Sequence, residues 1–134
     1  MWRIKRNLRT TDPTEADVLK TITDYLDLLQ AQGNLLYIRH NPSTVISKSI
    51  RGKIKTAFKK VRPSQIGAVD LFVFRLDTIP TMEQFDHCDV LCIEVKSATG
   101  KMSPAQKRWA KLAVAQGMRY IVARSLEDVR AALK

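Results

Sequence analysis

The sequence predicts an α/β domain, a mixed central sheet flanked by helices, and three observations carry that reading. Stretches of helical period alternate with short apolar runs of strand length. Capping residues bracket the helical stretches. A length of 134 residues with 45% hydrophobic content suits one core and is too short for two.

The first helix is predicted from Pro13 to about Gln32, with Asp12 as N-cap, Pro13 at the first helical position and Gly33 past the end. Val18, Leu19, Ile22, Leu26 and Leu29 recur at helical spacing and define its buried face. Leu35 to Arg39 reads as a strand. The segment from Asn41 to Gln65 supports two readings. Ile46, Ile50, Ile54 and Phe58 are spaced for a helix, whereas Ile54, Thr56 and Phe58 alternate as in a strand and Gly52 weakens the helix. Val69 to Arg75 and Asp89 to Ser97 are predicted strands, joined by a polar connection from Leu76 to Cys88. Ser103 caps and Pro104 opens a helix to about Gln116, closed by Gly117. Arg119 to Arg124 is a short strand, and Ser125 with Asp128 makes an acidic capping box for a last helix to Lys134. No internal repeat or interdomain linker interrupts this order, so residues 1–134 read as a single domain whose first 11 residues form a basic arm.

Charge bounds the class of partner. Twenty-three Lys and Arg stand against 13 Asp and Glu, a net charge of +10. Such a surplus costs folding energy by self-repulsion and suits a polyanionic partner, against the plain alternative of a basic soluble surface. No run approaches the roughly 18 apolar residues needed to span a bilayer. The basic N-terminus leads into TDPTEAD rather than an apolar segment, which is unlike a signal peptide. Cys88 and Cys92 are too few for a disulfide framework or a zinc site, and His40 and His87 lack metal-ligand spacing and read as structural or surface residues. These features suit a reducing, cytoplasmic compartment.

Chemistry concentrates late in the chain. In the strand Asp89 to Lys96, Leu91, Ile93 and Val95 take one face, while Val90 and Cys92 begin the other and give way to Glu94 and Lys96. A neighbouring salt bridge is the bland account of that pair; a metal-binding carboxylate beside a lysine that handles water is the sharper one. Asp70 opens the preceding strand after Gly67-Ala68-Val69. If the two strands pair, Asp70 approaches Glu94, and two carboxylates in a partly dry site favour an intervening hard cation such as Mg²⁺. Glu15 supports two readings as well: the acid of an Asp12-x-x-Glu15 capping box, or a third carboxylate on the buried face beside Val18, Leu19 and Ile22. Gln106, sharing a helix face with Trp109, Ala110 and Ala113, either bonds the neighbouring strand or orients a water or phosphate oxygen.

The ordered set Glu15, Gly67-x-x-Asp70, Glu94-Val95-Lys96 and Ser103-Pro104-x-Gln106 resembles the VRR-NUC family of the PD-(D/E)xK nuclease superfamily. The resemblance spans most of the chain, from the Glu15 helix through RYIVAR to SLEDVRAAL. It implies a restriction-endonuclease-like core of αβββαβ order, dependence on Mg²⁺ or Mn²⁺, and cleavage of DNA phosphodiesters. Carried over by position, Asp70, Glu94 and Glu15 would bind metal together with the Val95 backbone carbonyl. Lys96 would position or activate water, and Gln106 would support the cluster. Two departures are visible: Val69 stands where the family often has proline, and the connection from Leu76 to Cys88 is longer than a minimal hairpin.

Between Asp27 and Asp70 no acidic residue occurs, while Arg39, Lys48, Arg51, Lys53, Lys55, Lys59, Lys60 and Arg62 are basic. That run is expected to contact phosphates, with Lys101 beside the site and Arg3, Lys5, Arg6 and Arg9 of the arm adding to it. The expected activity is a magnesium-dependent DNA endonuclease, selective for four-way junctions and acting as a homodimer in phage or bacterial DNA processing. A non-catalytic DNA-binding module with this fold and an RNA nuclease are the alternatives.

Overall fold

The computed structural model describes residues 12–40, 45–50, 53–58, 63–77 and 87–134. Helix α1 (Glu15–Ala31) leads into strand β1 (Leu36–Arg39). Strands β2 (Val45–Ile50) and β3 (Lys53–Phe58) follow, then a 3₁₀ turn over Pro63–Gln65. Strands β4 (Leu71–Asp77) and β5 (His87–Val95), helix α2 (Pro104–Ala115), strand β6 (Arg119–Ala123) and helix α3 (Leu126–Ala132) complete the order. Among the described residues four strands form one sheet in the order β1-β4-β5-β6, and β2 and β3 pair with each other in a second. Setting that hairpin aside, the core order is the expected αβββαβ, closed by α3.

The sheet is mixed because the connections differ. β4 runs antiparallel to β1 and to β5, whereas β5 and β6 are parallel and α2 forms the crossover between them. Covered on both faces, the central strands read as nearly continuous apolar runs. On one face α1 and α3 close over Leu71, Val73, Leu91, Ile93, Val95 and Ala123, with Val18, Ile22, Leu26 and Val129 as their contribution. Ile22 and Leu26 are fully buried, each worth about 1.5–3 kcal/mol of transfer free energy. On the other face α2 brings Ala113 and Trp109 onto Val69, Phe72, Cys92 and Tyr120. Phe72 and Trp109 meet edge to face at 5.8 Å between centroids. Cys92 is thus a small core residue, its thiol pushed up to about 11 by burial.

Several local expectations shift by a residue or change partner. Thr14, not Asp12, caps α1: its hydroxyl accepts from Asp17 N–H, and the Asp17 carboxylate accepts from Thr14 N–H. Helix therefore begins at Glu15, and Glu15 takes no part in the capping box. Asp70 lies just before β4 rather than opening it. The last helix ends at Ala132, and its Ser125 makes no side-chain cap; Asp128 accepts instead from Arg124 N–H at 2.8 Å. The ambiguous middle segment resolves as the β2–β3 hairpin, with Ser47 opposite Thr56 and Lys48 opposite Lys55. Both ends of the 76–88 connection are strand, since β4 runs through Asp77 and β5 starts at His87; residues 78–86 lie outside the described residues, as does the basic arm. Among the described residues no helix is long and apolar enough to cross a membrane.

Candidate active site

The register of the sheet assembles the site. Leu71 pairs with Ile93 and Arg39 with Leu71, so one step further along the strands His40, Asp70 and Glu94 fall in a row from β1 across to β5. His40 N–H donates to the Asp70 carbonyl at 2.8 Å, which carries the β1–β4 pairing up to that row. Glu94 lies at the end of a central strand and Lys96 just past it, and both are buried, Glu94 being 1% exposed and Lys96 8%.

Two charges in so dry a place need specific partners. Lys96 Nζ lies 3.3 Å from Glu94 Oε1, and the same oxygen accepts from Gln106 Nε2 at 2.6 Å. Glu94 Oε2 is buried without a hydrogen-bond partner among the described residues. Asp70 stands alongside, its Oδ2 accepting from the backbone N–H of Val95 at 2.7 Å. Burial, reinforced by the negative charge of Asp70 and more weakly of Glu15, pushes the Glu94 carboxyl up to about 7, while Lys96 opposes the shift. Tyr120, one residue further down the same sheet face, has its hydroxyl buried and unpartnered. Burial and the Glu94 charge raise that phenol far above its ordinary range.

The first turn of α2 is built around the site. Ser103 and Gln106 form a capping box in which Gln106 Oε1 accepts from Ser103 N–H at 2.8 Å and Ser103 Oγ accepts from Gln106 N–H at 3.1 Å. Holding the amide oxygen there turns its NH₂ toward Glu94, so one rotamer caps the helix and binds the carboxylate. Gly67 makes the close approach that seats this turn against the Asp70 loop. At φ +82° it lies so near that a Cβ would stand 2.4 Å from the Ala105 carbonyl carbon. Arg124 fixes the loop after Lys96 from the far side: its guanidinium donates to the carbonyls of Ser97 at 2.6 Å and Gly100 at 2.8 Å.

Of the residues expected at the site, Glu94, Lys96 and Gln106 meet directly, and Asp70 joins them through the Val95 backbone N–H and through its charge on Glu94. Glu15 is exposed on the first turn of α1 and reaches Glu94 only through its charge. Among the described residues no three His, Cys, Asp or Glu side chains converge closely enough to hold a metal ion by themselves. Arg39 lines a cavity of about 320 Å³ with His40, Asp70, Ser103 and Gln106. Lys101 is exposed on the loop before α2. Lys48, Lys53 and Lys55 fall on β2 and β3, of which the backbone alone is described, and Arg51, Lys59, Lys60 and Arg62 lie outside the described residues. Sequence reasoning missed the place of His40, Tyr120 and Arg124. His40 directly follows a predicted strand, but only strand pairing puts it beside Asp70. For the other two the sequence carries no signal.

The VRR-NUC domain family matches residues 16–127 of this chain. No curated protein and no solved structure matches it. Spanning nearly the whole fold, from the second residue of α1 into α3, that match places the Asp70, Glu94, Lys96 and Gln106 cluster within a PD-(D/E)xK-like nuclease domain. The chain belongs to the VRR-NUC domain family and is a nuclease-type domain.

Proposed function

We propose that this protein is a magnesium-dependent DNA endonuclease that hydrolyses phosphodiester bonds at the Asp70, Glu94 and Lys96 cluster, prefers four-way junctions and acts as a homodimer in the cytoplasm of a bacterium or a phage-infected cell. The observation that carries the reading is the buried, unpartnered Glu94 Oε2 beside Asp70. A fold does not keep a half-satisfied carboxylate next to a second carboxylate for stability, because both desolvation and like-charge repulsion oppose it.

The donor set fits a hard divalent cation. Asp70, Glu94 and the Val95 carbonyl offer only oxygens, and Mg²⁺ is commonly held by one or two carboxylates, with water and substrate phosphate completing its shell. Glu15, nearby on α1, adds negative charge to the same region. When bound, the ion neutralises charge on the phosphoryl oxygens and lowers the pKa of a coordinated water.

The chain's own residues do the rest. Gln106 Nε2 holds Glu94 Oε1 in place, leaving Oε2 as the free ligand atom. The Val95 N–H holds Asp70 Oδ2 and so fixes the carboxylate plane. Lys96 Nζ contributes a positive charge and hydrogen-bond donors where charge develops on the reacting phosphate and the attacking water. Because the cluster is shielded by α2, these contacts act in a medium of low dielectric, where they are stronger than in water. Residues 1–134 act as one nuclease domain; the basic run from Arg39 to Arg62, with Lys101 and the basic arm, grips the phosphates along the strand. One such site cuts one strand, and a two-fold dimer supplies the paired sites that opposing cuts in a junction require.

The test incubates the full chain with linear duplex, synthetic four-way junction and single-stranded RNA, with and without Mg²⁺. Light scattering of the protein alone and with the junction reports its assembly. Cleavage of the junction in preference to duplex, only with Mg²⁺ and by a dimer, is expected. Asp70→Asn, Glu94→Gln and Lys96→Ala are each expected to reduce turnover at least a hundredfold while retaining a cooperative thermal transition. Near wild-type turnover in any of the three overturns its assignment. Preferential cleavage of RNA, or a monomer that cuts linear duplex as readily as junctions, overturns the corresponding part of the reading.

A further inference from the structure

The site row does not stop at the two carboxylates. His40 continues it onto β1, and nothing in the reading above uses that residue. Its imidazole stands edge-on to Phe72, 6.3 Å between centroids, and its Nε2 is buried with no hydrogen-bond partner among the described residues. A buried imidazole nitrogen left without a partner is uncommon, because desolvating it without a replacement bond is unfavourable. His40 also lines the cavity of about 320 Å³, together with Arg39, Asp70, Ser103 and Gln106. The cavity is large for a water molecule and of a size for a phosphate with part of its sugar.

The chemistry around that cavity selects an anion. Arg39 brings a guanidinium, which is always charged and offers donors only. His40 Nε2 donates in the imidazolium form and in the neutral tautomer that carries its proton there. The first turn of α2 opens toward the same space through Ser103 and Gln106, at the positive end of a 12-residue helix. Among the described residues Asp70 is the one anionic wall, on the side where the carboxylate pair lies. A cavity that is cationic on one side and borders the carboxylates on the other can take a phosphate next to the one being cut.

We propose that His40, with Arg39, forms a subsite for a backbone phosphate adjacent to the scissile one, the imidazole turning so that Nε2, shielded in the free protein, donates a hydrogen bond to a non-bridging oxygen. The subsite rests on the nuclease reading and adds to it a fixed register. With one phosphate seated between β1 and α2, the strand cannot slide relative to Asp70 and Glu94. His40 is therefore a substrate-binding residue that holds the strand in position, and its loss weakens binding more than it slows the chemical step.

The experiment is a phosphate-by-phosphate scan on a synthetic junction. Single methylphosphonates, which lack the negative charge, replace successive phosphates on either side of the cut. Affinity and cleavage are then measured for full-length wild type, His40→Ala and His40→Gln. Neutralising one particular flanking phosphate is expected to weaken wild-type binding about tenfold, the scale of a hydrogen bond to a charged group. In His40→Ala the same replacement costs nothing further, KM rises about tenfold and kcat stays within about threefold. His40→Gln, which keeps a donor at similar reach, is expected to recover part of the affinity. Thermal transitions of both variants within a few degrees of wild type show that the fold is intact. Should His40→Ala and every methylphosphonate act additively on an otherwise active enzyme, the subsite is refuted while the nuclease reading stands. A wild-type protein that neither binds nor cuts any of the nucleic acids refutes both.

Discussion

Glu94 is the residue at which stability and function pull in opposite directions. Its carboxyl is pushed up to about 7 from an ordinary value of 4.5, burial being the main cause and Asp70 the next. Between those values the unfolded chain carries an ionised glutamate while the folded chain keeps it protonated. The stability supplied by the neutral form is fully present below 4.5 and is lost as pH rises through 7. In chelator-containing buffer the wild type is expected to lose ~3 kcal/mol of stability from this group between pH 4 and pH 8. Glu94→Gln, unable to ionise, is expected to lack that loss. The carboxyls of Asp17 and Asp89 are held below their ordinary value by hydrogen bonds from Thr14 and Arg119, and their contribution has the opposite sign, being lost as pH falls. Urea unfolding at each pH measures the difference between the two proteins, and equal slopes from pH 5 to pH 8 would mean that Glu94 ionises as an ordinary surface acid. Mg²⁺ is expected to stabilise the wild type more at pH 8 than at pH 5, because it binds the ionised form.

At the scale of elements, the decisive fit is α2 against the loop before β4. Gly67 and Gly33 both have positive φ, +82° and +76°, yet their surroundings differ. A Cβ at Gly33 meets nothing within 4 Å, whereas at Gly67 it collides with the backbone of Ala105 and Gln106. Gly33→Ala is therefore expected to cost about 1–2 kcal/mol, the left-handed strain alone. Gly67→Ala is expected to cost visibly more and to reduce cleavage disproportionately, since it moves Gln106 away from Glu94. Thermal denaturation paired with a cleavage assay checks this, and equal losses for the two variants would remove the claim that Gly67 seats the site. These two glycines also measure what was legible in the sequence. Helical period located α1, period together with the Ser103-Pro104 cap located α2, and the broken alternation at Glu94 and Lys96 marked the pair that the fold buries beside Asp70. The sequence could not distinguish a C-terminal glycine from one needed for close approach, because that depends on a neighbour 38 residues away along the chain, Ala105. The cap of α1 moved from Asp12 to Thr14 for a local reason: Thr14 and Asp17 satisfy each other's backbone donors, and the two candidate boxes differ by only two residues in register. Residues 41–65 were ambiguous because isoleucines at four-residue spacing also satisfy a two-residue period, which pairing in the β2–β3 hairpin selects. His40 was invisible because its neighbour Asp70 lies just before another strand, 30 residues further along the chain.

Across the whole molecule, charge is distributed along the chain as unevenly as chemistry is. Asp12, Glu15, Asp17, Asp24 and Asp27 gather in and before α1, after which no acidic residue occurs until Asp70. Eight lysines and arginines fill the interval from Arg39 to Arg62, among them Lys53, which opens β3, and Lys59, which follows its last residue in sequence. A net charge of +10 raises the local concentration of a polyanion around the molecule, while a run this dense defines where contacts to it concentrate. Each phosphate neutralised on duplex DNA releases about 0.9 of a counterion, which fixes the slope of log affinity against log salt. Replacing Lys53, Lys55, Lys59 and Lys60 together with glutamine is expected to make that slope shallower by about 3 to 4. The effect is expected to be the same for duplexes of unrelated sequence, since phosphate contacts carry no base information. Cleavage at saturating substrate is expected to change little, because Asp70, Glu94 and Lys96 are untouched. Fluorescence anisotropy with labelled DNA over a range of KCl gives the slope directly. An unchanged slope means that the run faces away from the nucleic acid and that the surplus charge acts only by long-range attraction.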